Sequence, residues 1–203
     1  MSGDAIIAEP DLVWDTTLPV AKPPDEAWAG RYGITRMGSV QDGLAGPLLP
    51  RRFDPVLPPH MRSLAKDAPA PRRLRLGDMV PDGKPGSIGT VVELDDERRT
   101  MVIDTQWPSK HDKPGLRYTW QLNVIPYKDN TSLLVARTRM VHVAHKTVGR
   151  VWPLADWYAM RLIAEGVERD DLAPEAPPTL CRKLGAYAMV VAGQLLDKRR
   201  DRH

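Results

Sequence analysis

The stretch Leu116-Arg-Tyr-Thr-Trp-Gln-Leu-Asn-Val-Ile125 alternates along its whole length, with Tyr118, Trp120, Leu122 and Val124 on one side and Thr119, Gln121 and Asn123 on the other. A period of two with aromatic and branched residues on the apolar side is the pattern of a half-buried strand. Working outward, Lys128, Asp129 and Asn130 form a turn, and Thr131 to Met140 (TSLLVARTRM) reads as the next strand. Upstream, a polar loop from Ser109 to Gly115 separates the central stretch from Thr100–Gln106 (TMVIDTQ), a returning strand that ends at Trp107-Pro108. Asp95, Asp96 and Glu97 turn the chain once more, and Thr90–Leu94 is a further strand, preceded by the turn residues Pro81, Asp82, Gly83, Pro85 and Gly86. Four strands joined by short turns make an antiparallel meander from about Leu74 to Met140.

Beyond the meander the period changes. In Pro153–Arg169 (PLADWYAMRLIAEGVER), Trp157, Met160, Ile163, Ala164 and Val167 recur at helical spacing, while Arg161, Glu165 and Arg169 stand four apart toward water. An acidic, proline-containing linker, 171–178, leads to a second helix from Thr179. Its stripe of Leu180, Leu184, Tyr187, Val191 and Leu195 is interleaved with the small residues Gly185, Ala188 and Ala192.

The first third is different. Eleven of the 20 prolines lie at or before Pro71, which predicts short pieces and turns. Asp11–Val20 reads as a first strand that pairs late in the sheet, with Trp14 as a bulky anchor. Pro23-Pro24 followed by Asp25 and Glu26 marks a short helix that Gly30 and Gly33 end. No element is assigned from Leu44 to Pro71.

Composition bounds the function. The 203 residues suit one domain, 1–170, followed by the linker 171–178 and the helix with its basic tail, 179–203. A single cysteine, Cys181, excludes an internal disulfide and fits a reducing, cytoplasmic setting. The N-terminus lacks the basic and apolar runs of a secretory signal, and the longest nearly apolar stretch, Ala186–Leu196, is too short for a membrane span. Lys198, Arg199, Arg200 and Arg202 against Asp201 account for the whole formal net charge of +3, leaving a neutral body unlike a nucleic-acid interface.

The runs Leu74–Asp78 (Leu-x-x-Gly-Asp), Val91–Asp95, Thr119–Leu122 (Thr-Trp-x-Leu) and Leu133–Arg139 (Leu-x-Val-x-Arg-x-Arg), followed by a Met-containing helix, resemble the START-like polyketide cyclase/dehydrase (SRPBCC) superfamily. The resemblance covers roughly Leu74 to Glu168, with a weaker match from Leu12 to Trp28. It implies an α+β helix-grip fold: a curved antiparallel sheet wrapped around a long C-terminal helix, here with an extra terminal helix. It also implies a space between them for lipids, polyketides, sterols or other apolar molecules. Relatives carry an aromatic-rich segment after the first strand. In Ala27–Leu44 only Trp28, Tyr32 and Met37-Gly38 match it, which points to a different entrance.

Candidate ligand contacts are Trp107, Tyr118, Trp120, Arg137, Arg139 and Trp157. Arg137 and Arg139 stand two apart on one strand and share a face. They suit either an anionic ligand group held bidentately or acidic partners on a solvated outer face. Trp107 and Trp120 suit either stacking on a flat ligand or filling a core. Histidines His142 and His145 lack a third ligand, Cys181 lacks a histidine partner, and Gly83-Lys84-Pro85-Gly86 lacks the spacing and the following helix of a phosphate loop. No metal, cofactor or catalytic residue is assigned.

The function expected is binding of an apolar small molecule, with cyclase or dehydratase chemistry in the same cavity as the alternative and nucleic-acid binding behind both. Residues 179–203 are expected to dock on the domain or dimerise, or to touch an anionic membrane surface peripherally.

Overall fold

The computed structural model describes residues 3–37, 72–81, 88–107, 115–143 and 146–168. Its elements run α1 (Gly3–Ile6), β1 (Leu12–Val20), α2 (Pro24–Ala29), a single 3-10 turn (Ile34–Arg36), β2 (Met79–Pro81), β3 (Ile88–Asp95), β4 (Thr100–Gln106), β5 (Arg117–Pro126), β6 (Ser132–Val141) and α3 (Lys146–Val167). The six strands form one antiparallel sheet in the order β1-β6-β5-β4-β3-β2. The first strand thus pairs with the last, as its isolation from the meander predicts. A register shift between Val91 and Glu93 places a bulge in β3, a device that bends a strand and adds twist.

The meander follows the period-two reading within a residue or two, and its hairpin tip is built where predicted. Asp129 and Asn130 both take positive φ there, a backbone region that aspartate and asparagine tolerate better than most residues. The helix α2 likewise starts with Pro24 at its first turn and stops as the Gly30 N–H donates to the Glu26 carbonyl at 2.9 Å. Three short elements, α1, β2 and the 3-10 turn, carry too little periodicity to be read from sequence. The linker, the terminal helix and the segment from Leu44 to Pro71 lie outside the described residues.

One face of the sheet is the inner one. Val20, Leu122, Val124, Leu134 and Ala136 pack there against Met160, Ile163, Ala164 and Val167 of α3, joined by Trp28 from α2. This makes the architecture helix-grip, with α3 lying across the sheet and resting most closely on β1. The predicted helix start at Pro153 is corrected: α3 begins at Lys146 and carries Pro153 inside it. A proline usually sits in a helix's first turn because it has no N–H to donate and crowds the carbonyl four residues earlier. Here packing on the sheet outweighs that local cost.

The outer face is strapped by the N-terminus. Arg139 donates to the carbonyls of Ile7 (2.9 Å) and Ala8 (3.2 Å) and pairs with Asp4 at 2.6 Å, which holds residues 4–8 over the sheet. At the far end of α3, Glu168 accepts the Ala21 N–H at 2.7 Å and fixes the helix to the link between β1 and α2.

Candidate functional site

The register sets one cross-strand row on the inner face. Trp14 of β1 lies opposite Thr138 of β6, Thr138 opposite Trp120 of β5, Trp120 opposite Ile103 of β4, and Ile103 opposite Val91 of β3. Two apolar clusters meet along this row. The larger, described above, takes in Trp120 and Tyr158 at its edge. The smaller holds Trp107, Leu116, Tyr118 and Met140, with Leu12, Trp14, Val143 and Trp152 against it. In the smaller cluster the Trp152 ring meets Trp107 edge-on at 5.4 Å and 62°, and Tyr118 at 6.3 Å and 61°, both favourable arrangements for aromatic pairs.

At the seam stands Asp156 of α3. Its Oδ2 accepts hydrogen bonds from Trp14 Nε1 at 2.9 Å, Thr138 Oγ1 at 3.4 Å and Thr16 Oγ1 at 3.5 Å. Burial pushes this carboxyl up to about 6, although the donors from Trp14, Thr138 and Thr16 each favour the ionised form and pull it back. Such a group is mostly ionised at neutral pH yet takes up a proton within reach of it. It can therefore balance a cation, or move a proton to or from a bound molecule.

The next strand supplies the complementary group. Trp120 Nε1 is shut off from solvent and has no hydrogen-bond partner among the described residues. An indole N–H only donates, so what it lacks is an acceptor.

The sequence-predicted residues divide accordingly. Trp107, Tyr118 and Trp120 come together on the inner face. Arg137 and Arg139 do share a face, but it is the outer one, turned away from Trp120. Because side chains alternate along a strand, Thr138 points inward and its two neighbours cannot. Arg137 grips Asp15 with two hydrogen bonds of 2.8 Å, and Arg139 holds the N-terminal segment. Trp157 is 42% exposed on the outside of α3, where the Arg161 guanidinium lies 5.6 Å from its ring centre. His142 directly follows β6 with φ of 61° and is exposed, while His145 and Cys181 lie outside the described residues.

Sequence reasoning missed Asp156, Thr138 and Trp152. A signal for Asp156 was present: Met160, Ile163, Ala164 and Val167 stand four, seven, eight and eleven residues after it, so the apolar stripe of α3 begins on an acid.

No family model matches the chain, and no curated protein matches its sequence. Solved structures do. The chain is similar to norcoclaurine synthase from Thalictrum flavum in complex with dopamine and hydroxybenzaldehyde, at 19% identity over 77% of this chain and 84% of that one, with a TM-score of 0.48. It is also similar to CalU16 from Micromonospora echinospora, at 12% identity over 91% and 87%, TM-score 0.45. A third likeness is to Ara h 8.0201, at 11% identity over 77% and 95%, TM-score 0.43. These likenesses are distant and assign no ligand or reaction. The strand order, the register and the grip on α3 give the chain a helix-grip architecture.

Proposed function

We propose that the chain binds a small, largely apolar molecule between the inner face of the sheet and α3, along the row of Trp14, Thr138 and Trp120. The observation that carries this reading is the buried N–H of Trp120, which has no partner among the described residues. Leaving such a donor unsatisfied costs about 1–3 kcal/mol, a cost that a ligand offering an oxygen acceptor removes. Tyr118, Trp107 and Trp152 supply an aromatic wall beside it, and the two apolar clusters supply the rest of the lining. Arg137, Arg139 and Trp157 have no part in this site.

Native mass spectrometry of the purified chain, followed by titration of small aromatic molecules monitored by tryptophan fluorescence, tests it. A ligand that binds the unsubstituted chain and binds Trp120→Phe at least about tenfold more weakly supports the reading. Equal binding by both forms would sink it.

One observation favours a second reading, catalysis at the same site. The Asp156 carboxyl, pushed up to about 6 by burial, accepts a hydrogen bond from Thr138, the residue opposite Trp120. In a cyclase or dehydratase reaction, Trp120 holds a carbonyl oxygen while Asp156 moves a proton on the same molecule. Turnover that persists undiminished in Asp156→Asn would remove this reading and leave the binding one in place.

A further inference from the structure

Among the described side chains no cation balances Asp156. From β1 it is met by the Trp14 N–H and the Thr16 hydroxyl, and from β6 by the Thr138 hydroxyl, all neutral donors. The charged residues of those strands, Asp15, Arg137 and Arg139, stand on the outer face and are paired there. On α3 itself, Arg161 lies over Trp157 and within 3.8 Å of Glu165, and the aromatic residues Trp152 and Tyr158 pack on the inner clusters. Among the described residues Asp156 makes no ion pair.

Three donors converge on one carboxylate oxygen, which favours the ionised form, in surroundings otherwise made of indole, phenol and aliphatic groups. A buried charge left alone is costly, and the complement such a site lacks is a positive charge. Trp14 and Trp152 pack on the smaller cluster beside Asp156, and an indole ring is the aromatic surface that attracts a cation most strongly.

We propose that the molecule taken up at the inner site is a small amine, bound as its ammonium cation against the Asp156 carboxylate. This rests on the reading of the inner face as a ligand site and names the chemical class of the ligand. The ammonium group replaces the missing counter-ion, and its carbon body lies along the row toward Trp120, whose N–H meets an oxygen where the amine carries one. A neutral oxygen-bearing ligand makes the opposite demand on the acid. It gains a hydrogen bond from Asp156 only when the carboxyl is protonated, so the two classes differ in the sign of their pH dependence.

The test uses three probes of one shape and different charge: 2-phenylethylamine, 2-phenylethanol and phenylacetate, titrated calorimetrically into the full chain. The amine is expected to bind at least about tenfold more tightly than the alcohol, with phenylacetate weakest. Its affinity should rise between about pH 5 and about pH 8 as Asp156 ionises, since the amine stays protonated throughout that range. Asp156→Asn should reduce amine binding to the level of the alcohol while leaving the alcohol little changed. Equal affinity for amine and alcohol in the unsubstituted chain, or amine affinity that does not rise between about pH 5 and about pH 8, overturns the amine class but leaves the ligand site standing. Binding of none of the three probes overturns both. If Asp156→Asn fails to fold, the charge series on the unsubstituted chain decides the question alone.

Discussion

Trp14 Nε1 donates to Asp156 Oδ2 at 2.9 Å, joining residues 142 apart in sequence and fastening the first strand to the C-terminal helix. The bond lies where burial has pushed the carboxyl from the usual 3.8 up to about 6. A raised carboxyl costs stability once it ionises. Below about pH 4 the folded and unfolded chains both hold the proton. Between about pH 4 and about pH 6 the unfolded chain releases it first, so stability falls as pH rises, and above about pH 6 the whole penalty of about 3 kcal/mol applies. Asp156→Asn keeps an acceptor for Trp14 and removes the charge. Its melting temperature should therefore exceed that of the parent at about pH 7.5 and converge with it near pH 4. Thermal unfolding followed by circular dichroism across this range checks the prediction, and a gap that does not vary with pH contradicts it.

How far this was legible in the sequence follows from what each pattern encodes. Period two along Leu116–Ile125 specifies a strand and an apolar side, and the hairpin at Lys128–Asn130 places Thr138 opposite Trp120. In Ser132–Val141, however, both alternating sets contain apolar residues, Leu133 and Val135 on one side, Leu134, Ala136 and Met140 on the other. The pattern within that strand alone leaves the direction of Arg137 and Arg139 undecided, and pairing with β5 is what settles it. On α3 the large apolar Trp157 drew the stripe away from its true start at Asp156, because a bulky ring outweighs an acid in any reading by hydrophobicity. That Trp120 finds no acceptor among the described residues has no sequence signal at all, since it depends on what each of those neighbouring elements fails to supply.

The ion pair of Arg137 with Asp15 is a surface feature and should behave as one. Its hydrogen bonds hold the Asp15 carboxyl below its usual range, so any stabilisation is present above the unfolded value and is lost as pH falls through the lowered one. Both side chains are more than 40% exposed, and water and salt screen the attraction. Arg137→Ala should cost at most about 1 kcal/mol in urea unfolding, less at high salt, and should leave ligand binding at the inner face unchanged. A loss of binding in this variant would place the ligand on the other side of the sheet.

Two glycines separate crowding from backbone strain. A Cβ added at Gly33 would stand 2.6 Å from the Trp28 carbonyl oxygen and 2.8 Å from the Ala29 nitrogen, main-chain atoms that cannot step aside. The chain doubles back there on the end of α2, whose Trp28 is anchored in the core by a 2.8 Å bond to Asp96. At Gly77 nothing lies within 4 Å of the added atom, but φ is +84°. Gly33→Ala should lose about 1–3 kcal/mol or more by displacing α2. Gly77→Ala should lose only about 1 kcal/mol, from strain alone, and Gly77→Asn less still. Denaturant midpoints that reverse this order would contradict the close approach at Gly33.

Trp120 bears on the free protein as well as on the ligand. Replacing a paired donor weakens a fold, whereas replacing one that is buried and unpaired removes a standing cost. Phenylalanine keeps an aromatic ring opposite Ile103 and Thr138, set where the pyrrole part of the indole stands, and gives up the N–H and the outer part of the fused ring system. The smaller ring gives up some packing, worth about 1 kcal/mol, against a gain of about 1–3 kcal/mol from losing the orphaned donor. Trp120→Phe should thus be as stable as the parent or more so in urea unfolding without ligand. With a saturating ligand the order should reverse, because only the parent forms the added hydrogen bond. If Trp120→Phe is instead less stable by several kcal/mol in the free form, the indole N–H has a partner in the free protein and is not waiting for one.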